Sequence, residues 1–282
     1  MPNSVLRVVT ALVGIPAVVG LLYLGAWPFA LLVLTISLLA QYEVYHLLEL
    51  GGLRPYRAFG MALGALLVLQ TMHRPLLYAA AAVVVVAVAW WPLERRSLDG
   101  GTPEASPTGI GALGATLFGA VYPSALLAFL VEIRLARGPQ VDDLRAFFLA
   151  LTVFLLVWST DTLAYYVGRA FGKRPLAPLI SPAKTWAGAI GGVAGSLGAA
   201  VLLKVVALDV IPWMHVAALG LLAGVVGQLG DLAESKLKRQ VGAKDSGTLL
   251  PGHGGLLDRF DAMIVVAPVA YLYLRFAAGL FG

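Results

Sequence analysis

Residues 211–281 read IPWMHVAALGLLAGVVGQLGDLAESKLKRQVGAKDSGTLLPGHGGLLDRFDAMIVVAPVAYLYLRFAAGLF. Two apolar runs in this stretch, 211–230 and 260–281, are each about 20 residues long, which is the length that a helix needs to cross a bilayer. The polar segment 231–261 holds five of the chain's fifteen acidic residues and five of its twenty lysines and arginines. The sequence therefore predicts two membrane helices whose connection carries the chemistry.

The rest of the chain is also mostly apolar. Hydrophobic residues make up 60% of the sequence and charged residues 12%, with a mean hydropathy of +0.87. This composition excludes a soluble enzyme and predicts an all-α, polytopic integral membrane protein. Runs of roughly 20 apolar residues predict about nine transmembrane helices: 5–24, 27–48, 57–73, 75–92, 108–131, 146–168, 185–207, 211–230 and 260–281.

Loop charge predicts the orientation of these spans. Cytoplasmic loops carry an excess of lysine and arginine, and the larger share here follows spans two, four, six and eight. We therefore expect an active-site cavity that faces the cytoplasm from the cell inner membrane. The turn-rich segment 97–107 predicts a boundary between an N-terminal four-span region, 1–96, and a C-terminal five-span catalytic region, 108–282. The net charge of +5 favours contact with lipid headgroups over nucleic-acid binding.

Glycines recur at helical spacing in two of the C-terminal spans. Gly188, Gly192 and Gly195 lie in span seven, and Gly220 and Gly224 in span eight. Small residues let membrane helices approach closely, so spans six to nine are expected to form a tight bundle. The same faces would also serve a homodimer.

The segment 231–261 begins as a helix with one polar face. Asp231, Ser235 and Lys238 share that face with Glu234 because residues three and four apart are neighbours on a helix. The glycines of the following loop, among them Gly254 and Gly255, leave backbone N–H groups free to approach an anion before the next helix begins.

Asp258 and Asp261 share a face in the first turn of that next helix. Two carboxylates so placed suit Mg2+, which prefers oxygen ligands and reaches substrate phosphates through them. The alternative is that they cap the helix N-terminus. A carboxylate at the edge of an apolar run is costly unless it is paired or metal-bound, and this favours the metal.

The loop after span six is a second candidate site. Asp161 lies inside the span, where a carboxylate is a functional candidate by default, although a structural hydrogen bond to a neighbouring helix is the alternative. The segment 169–185 adds cations and hydroxyls that suit a phosphate-rich ligand: Arg169, Lys173, Ser181, Lys184 and Thr185. Positive-inside placement alone predicts some of these cations.

The N-terminal region offers few polar residues inside its spans. Gln41, Glu43, His46 and Glu49 lie near the inner end of span two and could line a groove. Interfacial anchoring is the favoured interpretation because tyrosines accompany them.

Short stretches at set spacing carry a family resemblance. Those in the 231–261 segment are Ser235-Lys236-Leu237-Lys238-Arg239, Lys244-Asp245, Pro251-Gly252-His253-Gly254-Gly255 and Asp258-Arg259-Phe260-Asp261. Those upstream are Ser159-Thr160-Asp161-Thr162 with Ala164-Tyr165, Gly168-Arg169 with Gly172-Lys173, and Ser181-Pro182 with Lys184-Thr185. Together they resemble the phosphatidate cytidylyltransferase, or CDP-diacylglycerol synthase, family. The sequence departs from the family pattern at Ala183, where lysine is frequent, and at Ala262, where serine is frequent.

The resemblance implies that CTP and phosphatidate give CDP-diacylglycerol and pyrophosphate. Under this hypothesis Asp231, Asp258 and Asp261 hold Mg2+, with room for a second cation such as K+, and act catalytically with Lys238 and Lys244. The residues expected to contact substrate are Asp161, Arg169, Lys173, Ser181, Lys184, Thr185, Ser235, Arg239, His253, Gly254, Gly255 and Arg259. A CTP-dependent membrane lipid kinase is the alternative. A transporter, which would spread polar groups across the midplane, fits less well.

Overall fold

The computed structural model describes residues 3–98, 109–209, 211–247 and 254–281, and these residues are mostly helical. The helices are α1 (Asn3–Leu24), α2 (Ala26–Leu50), α3 (Arg57–Leu69), α4 (Leu76–Leu98), α5 (Ile110–Ala120), α6 (Leu126–Arg134), α7 (Asp143–Phe171), α8 (Trp186–Val206), α9 (Trp213–Gln240) and α10 (Leu257–Leu272). A π-helical turn, Val121–Ala125, joins α5 to α6, and a second one, Tyr273–Ala277, follows α10.

Within the described parts of the chain, six helical stretches are long and apolar enough to cross a membrane. They are Ala26–Leu50, Ile110–Arg134, Asp143–Phe171, Trp186–Val206, Trp213–Gln240 and Leu257–Ala277. The prediction of an all-α membrane protein is therefore confirmed. The other three predicted spans coincide with α1, α3 and α4, whose apolar stretches are shorter: Leu12–Leu24, Arg57–Leu69 and Leu76–Val86. A count of nine spans stays a prediction.

The loop between α7 and α8 contains a two-stranded β-hairpin. Strands β1 (Pro175–Ala177) and β2 (Ser181–Thr185) pair antiparallel, with Pro175 opposite Thr185. Thr185 is also the N-cap of α8, because its hydroxyl accepts a hydrogen bond of 3.1 Å from the Gly188 N–H. The hairpin therefore fixes β2 against the start of α8.

Helices α7, α8 and α9 pack through glycine, as the spacing predicts. A Cβ added to Gly188 would lie 2.7 Å from the Ala164 carbonyl oxygen of α7, and one added to Gly195 would lie 2.6 Å from the Ser159 oxygen. On α9, a Cβ at Gly224 would lie 2.9 Å from the Val193 Cα of α8. Real side chains essentially never approach so closely, so the glycines permit this packing.

The C-terminal part of α2 is largely buried inside the protein. Gln41, Glu43 and Tyr45 are each at most 2% exposed, whereas His46 lies at the surface. The Tyr45 hydroxyl donates to the Thr116 carbonyl oxygen at 2.8 Å and accepts from the Gln41 amide at 2.9 Å. Interfacial anchoring is therefore wrong for Glu43 and Tyr45. One apolar core runs from Val18 to Phe281, and the division at 97–107 stays a prediction.

Candidate active site

A cavity of about 1000 Å³ opens between the end of α7, the hairpin, α9 and α10. Its charged lining among the described residues consists of five carboxylates and four cations: Asp161, Asp231, Asp245, Asp258, Asp261, Arg169, Lys184, Lys238 and Arg259. Its other wall is apolar and comes from α1 and α2, through Ile15, Val18, Leu32 and Ile36. One space therefore adjoins both charged and hydrocarbon-like surfaces.

Helices α9 and α10 bring the three predicted metal-binding carboxylates to this one cavity. Asp231 lies on α9, and Asp258 and Asp261 lie in the first turns of α10. Asp161 reaches the same space from α7. The electrostatic neighbours of Asp261 include Asp231 and Asp161, so residues from three helices concentrate negative charge here.

Lysine from the hairpin neutralises part of this charge. The Lys184 ammonium lies 2.5 Å from Asp231 Oδ2, with both side chains about one-quarter to one-third exposed. The Ser235 hydroxyl donates to Asp231 Oδ1 at 3.3 Å. The hairpin and α9 are thus joined by an ion pair at the cavity wall.

Lys238 bridges two carboxylates, of which Asp258 also lines the cavity. Its ammonium lies 2.6 Å from Glu234 Oε2 and 2.5 Å from Asp258 Oδ1. The Glu234 side chain is fully buried, and among the described residues no hydrogen-bond donor reaches its Oε1. A buried carboxylate without a counterion destabilises the folded state. Lys238 is the counterion that stabilises buried Glu234.

Backbone N–H groups hold the Asp258 carboxylate as well. Asp258 Oδ2 accepts from Gly255 N at 2.8 Å and from Ser246 N at 3.1 Å. Gly254 has φ of +80°, where side chains are rarely tolerated, and a Cβ there would lie 2.7 Å from Asp258 Oδ2. The glycines predicted to approach an anion therefore approach a carboxylate of the protein itself.

The structure separates the predicted residues into two groups. The cavity lining includes Asp161, Arg169, Ser181, Lys184, Thr185, Asp231, Lys238, Asp258, Arg259 and Asp261. Residues outside that lining are Lys173, Ser235, Arg239, Lys244, Gly254 and Gly255. Lys173 and Lys244 are exposed, and Arg239 donates to the carbonyl oxygens of Ile180 and Ala243. His253 lies outside the described residues.

Comparison with known proteins identifies the family of this chain. A sequence profile of the cytidylyltransferase family matches residues 5–277, which is nearly the whole chain. The chain belongs to the cytidylyltransferase family. It is 36% identical over 278 residues to a phosphatidate cytidylyltransferase of Brucella abortus, covering 97% of this chain and 94% of the relative. It is 37% identical over 280 residues to a protein of the same name from Pseudomonas aeruginosa, covering 97% of both chains. A third, from Bacillus subtilis, is 43% identical over 162 residues, covering 57% of this chain and 58% of the relative.

The carboxylates of this cytidylyltransferase fit Mg2+ in their chemistry. Mg2+ usually binds proteins through one or two carboxylates and completes its shell with water and substrate phosphate. Asp231, Asp258 and Asp261 can supply such oxygens at the cavity. Asp231 would exchange its contacts with Lys184 and Ser235 for the ion, whereas Asp258 is also held by the backbone N–H of Gly255. No three Asp, Glu or His side chains converge into a closed metal cage in the described ranges. The site therefore suits an ion shared with a phosphate ligand.

One residue that holds the loop beside the cavity could not be identified from sequence spacing. Glu43 of α2 accepts hydrogen bonds from Ser246 and from the first N–H groups of α10. More than 200 residues separate the partners, so neither helical periodicity nor local spacing connects them. The available signal is the carboxylate itself, since an acidic residue inside an apolar span needs a partner.

Proposed function

We propose that the protein transfers CMP from CTP to phosphatidate, giving CDP-diacylglycerol and pyrophosphate. Two observations support this: its full-length relatives are named phosphatidate cytidylyltransferases, and its cavity adjoins both kinds of surface that the two substrates need. The second carries the proposal, since a nucleotide triphosphate needs cations and a diacyl lipid needs apolar contact. Cations from α7, β2, α9 and α10 face that cavity, and its opposite wall is apolar α1 and α2.

In the proposed reaction a phosphatidate phosphate oxygen attacks the α-phosphorus of CTP. The new phosphorus–oxygen bond forms as the bond to the bridging α–β oxygen breaks, and pyrophosphate leaves with that electron pair. The nucleophile is already an anion, so the protein's main tasks are positioning and charge neutralisation. Lys184, Lys238, Arg169 and Arg259 supply the positive charge around the cavity.

Mg2+ is the proposed metal, held by Asp231 and Asp261, with Asp258 as the third predicted carboxylate. When bound, it would neutralise negative charge on the phosphates as the transition state forms. Asp258 would join only by giving up a present partner, and its Oδ1 bond to Lys238 is the one that a bound phosphate could replace. Lys238 then serves as a switchable cation between Asp258 and substrate.

We also propose that this cavity faces the cytoplasm from the cell inner membrane, with nine spans in all. The support is the distribution of lysine and arginine in the loops and the requirement for CTP, a cytoplasmic nucleotide. Cysteine-accessibility labelling tests the orientation, because the chain has no native cysteine. Exposed Lys173→Cys should react with an impermeant maleimide only after the inner membrane is opened.

The test of the reaction uses purified protein in vesicles that contain either phosphatidate or diacylglycerol. With labelled CTP and Mg2+, phosphatidate vesicles should yield a lipid carrying the CMP unit together with pyrophosphate. Formation of lipid phosphate and CDP from diacylglycerol would instead identify a lipid kinase and overturn the proposal. A parallel sample with chelator tests the metal separately, and activity that persists there removes Mg2+ from the account.

A further inference from the structure

Glu43 lies on α2, yet within the described residues its side-chain hydrogen bonds all go to the segment that precedes and begins α10. Glu43 is only 2% exposed to solvent. Oε1 accepts from Leu256 N at 2.9 Å, and Oε2 accepts from Leu257 N at 2.7 Å and from the Ser246 hydroxyl at 2.9 Å. Both carboxylate oxygens are therefore used to hold backbone or loop groups.

Glu43 supplies the helix cap that α10 lacks from its own sequence. The N-cap residue is Leu256, which has no side-chain acceptor, although the first N–H groups of a helix need one. A carboxylate is the preferred partner there because the helix N-terminus is partly positive. Glu43 thus fixes where α10 begins and how its first turn, which carries Asp258, is oriented.

The same small segment binds both Glu43 and Asp258. Ser246 donates its hydroxyl to Glu43 and its backbone N–H to Asp258. Gly255 N donates to Asp258, and the next two N–H groups donate to Glu43. A displacement of Glu43 would therefore move the groups that aim the Asp258 carboxylate at the cavity.

Two glycines show that the loop is shaped around this carboxylate. A Cβ at Gly247 would lie 2.7 Å from Glu43 Oε1. A Cβ at Gly255 would overlap Ser246 Oγ and Glu43 Oε2. Neither glycine has positive φ, so space for Glu43, rather than backbone conformation, is what the missing side chains provide.

We propose that Glu43 is a positioning residue for CMP transfer, acting through Ser246 and the start of α10 on Asp258. The effect on CMP transfer rests on the proposed function, whereas the contact between Glu43 and the start of α10 does not. Glutamine at position 43 would keep one oxygen and turn an amide N–H2 group toward backbone donors. Glu43→Gln should therefore loosen the loop while leaving the lipid-facing wall of the cavity intact.

Hydrogen exchange followed by mass spectrometry measures the contact without any reaction. In detergent-solubilised protein, Glu43→Gln should make amides in residues 254–260 exchange roughly tenfold faster, which corresponds to the loss of one hydrogen bond to a charged group. The turnover number should fall roughly 10²-fold, with the KM for phosphatidate changed by less than about threefold. This split distinguishes positioning from general loss of folded protein, which would lower the active fraction without selective exchange near α10.

Two further variants complete the test. Ser246→Ala removes one of the three donors and should give the same changes in weaker form, so it replaces Glu43→Gln if that variant does not fold. Glu49→Gln is the matched control because Glu49 lies on the same helix, is about one-third exposed and pairs with Arg57 at 2.5 Å. It should leave exchange at 254–260 and turnover unchanged.

The outcomes separate this inference from the proposed function. Unchanged exchange at 254–260 in Glu43→Gln overturns the contact, and faster exchange with unchanged turnover overturns the positioning role. If Asp258→Asn and the Asp258→Asn/Glu43→Gln double variant have equal residual activity, Glu43 acts through Asp258. If the double variant is much worse, it does not. Wild-type protein that makes no CDP-lipid would refute the reaction while the exchange result still decides whether Glu43 holds α10.

Discussion

Carboxylates have opposite surroundings in two regions of the molecule. One region is the cavity wall formed by α9 and α10, and the other is the C-terminal part of α2. Asp231 and Asp261 adjoin an open space. Glu43 is enclosed, and both of its oxygens accept hydrogen bonds from the protein. Burial alone therefore does not identify the reactive group in a membrane protein. The difference is that Asp231 and Asp261 border a space that a ligand can enter, whereas Glu43 lies outside that lining and holds backbone and hydroxyl donors.

The largest expected effect concerns the open carboxylates. Asp261→Asn and Asp231→Asn should each lower turnover by at least about 10²-fold, because each removes a negative charge that would hold a cation at the transferring phosphates. Incorporation of labelled CTP into lipid measures the loss, with membrane insertion checked by the elution profile in detergent.

Glu49→Gln on α2 is the control for that experiment, since it also removes one carboxylate near a helix end and should retain turnover within about twofold. Full activity in either aspartate variant would show that its carboxylate is not needed for the reaction. That carboxylate would then have a structural role only, as Glu49 has.

The sequence predicts the C-terminal wall well because its determinants are local. Lys238 and Asp231 share a helix face through simple spacing, and Asp258 and Asp261 do likewise. The glycines of α8 predict its close approach to α7. Each of these inferences needs only a few neighbouring residues. In the structure α8 approaches α7 closely at its glycines, and these four charged side chains line one cavity.

The contribution of the N-terminal region could not be predicted in the same way. Ile15 and Leu32 form cavity wall only because α1 and α2 pack beside α7 and α10. Gly255 similarly has a predicted role in binding a substrate anion, yet its N–H donates to Asp258. Such partners depend on tertiary packing, which periodicity does not encode.

The next effect tests the ion pairs that Lys238 makes with Glu234 and Asp258. Lys238→Met should destabilise the fold by about 3–5 kcal/mol, because it leaves buried Glu234 and Asp258 without their shared cation. Thermal unfolding in detergent should show the loss. Adding Glu234→Gln should restore part of the stability but little turnover, since Lys238 would still be missing from the cavity. A double variant no more stable than Lys238→Met would contradict the assigned ion pair.

A smaller effect tests how α7 carries Asp161 to the site. Gly195→Ala should destabilise the protein by about 1–3 kcal/mol through overpacking, because the new Cβ would meet the Ser159 carbonyl oxygen. Gly198→Ala is a matched control on the same helix, with nothing within 4 Å of the added atom. It should be neutral or stabilising by about 0.5–1 kcal/mol. Unfolding midpoints in detergent compare the two, and equal destabilisation would argue against close α7–α8 packing.

The smallest effect separates two neighbours on α2. Tyr45→Phe removes the hydroxyl that joins Gln41 to the Thr116 carbonyl, and hydrogen bonds between membrane helices contribute about 0.6 kcal/mol on average. We therefore expect a loss of about 1 kcal/mol in thermal unfolding. Turnover should stay within about twofold because, in the part of the chain that the structure describes, the hydrogen bonds of Tyr45 and Gln41 do not reach α10. Glu43, two residues earlier, should differ in turnover, since Glu43→Gln is expected to lower it roughly 10²-fold. If Tyr45→Phe lowers turnover as strongly as Glu43→Gln, the C-terminal part of α2 acts as one structural unit. Glu43 would then have no separate role in positioning Asp258.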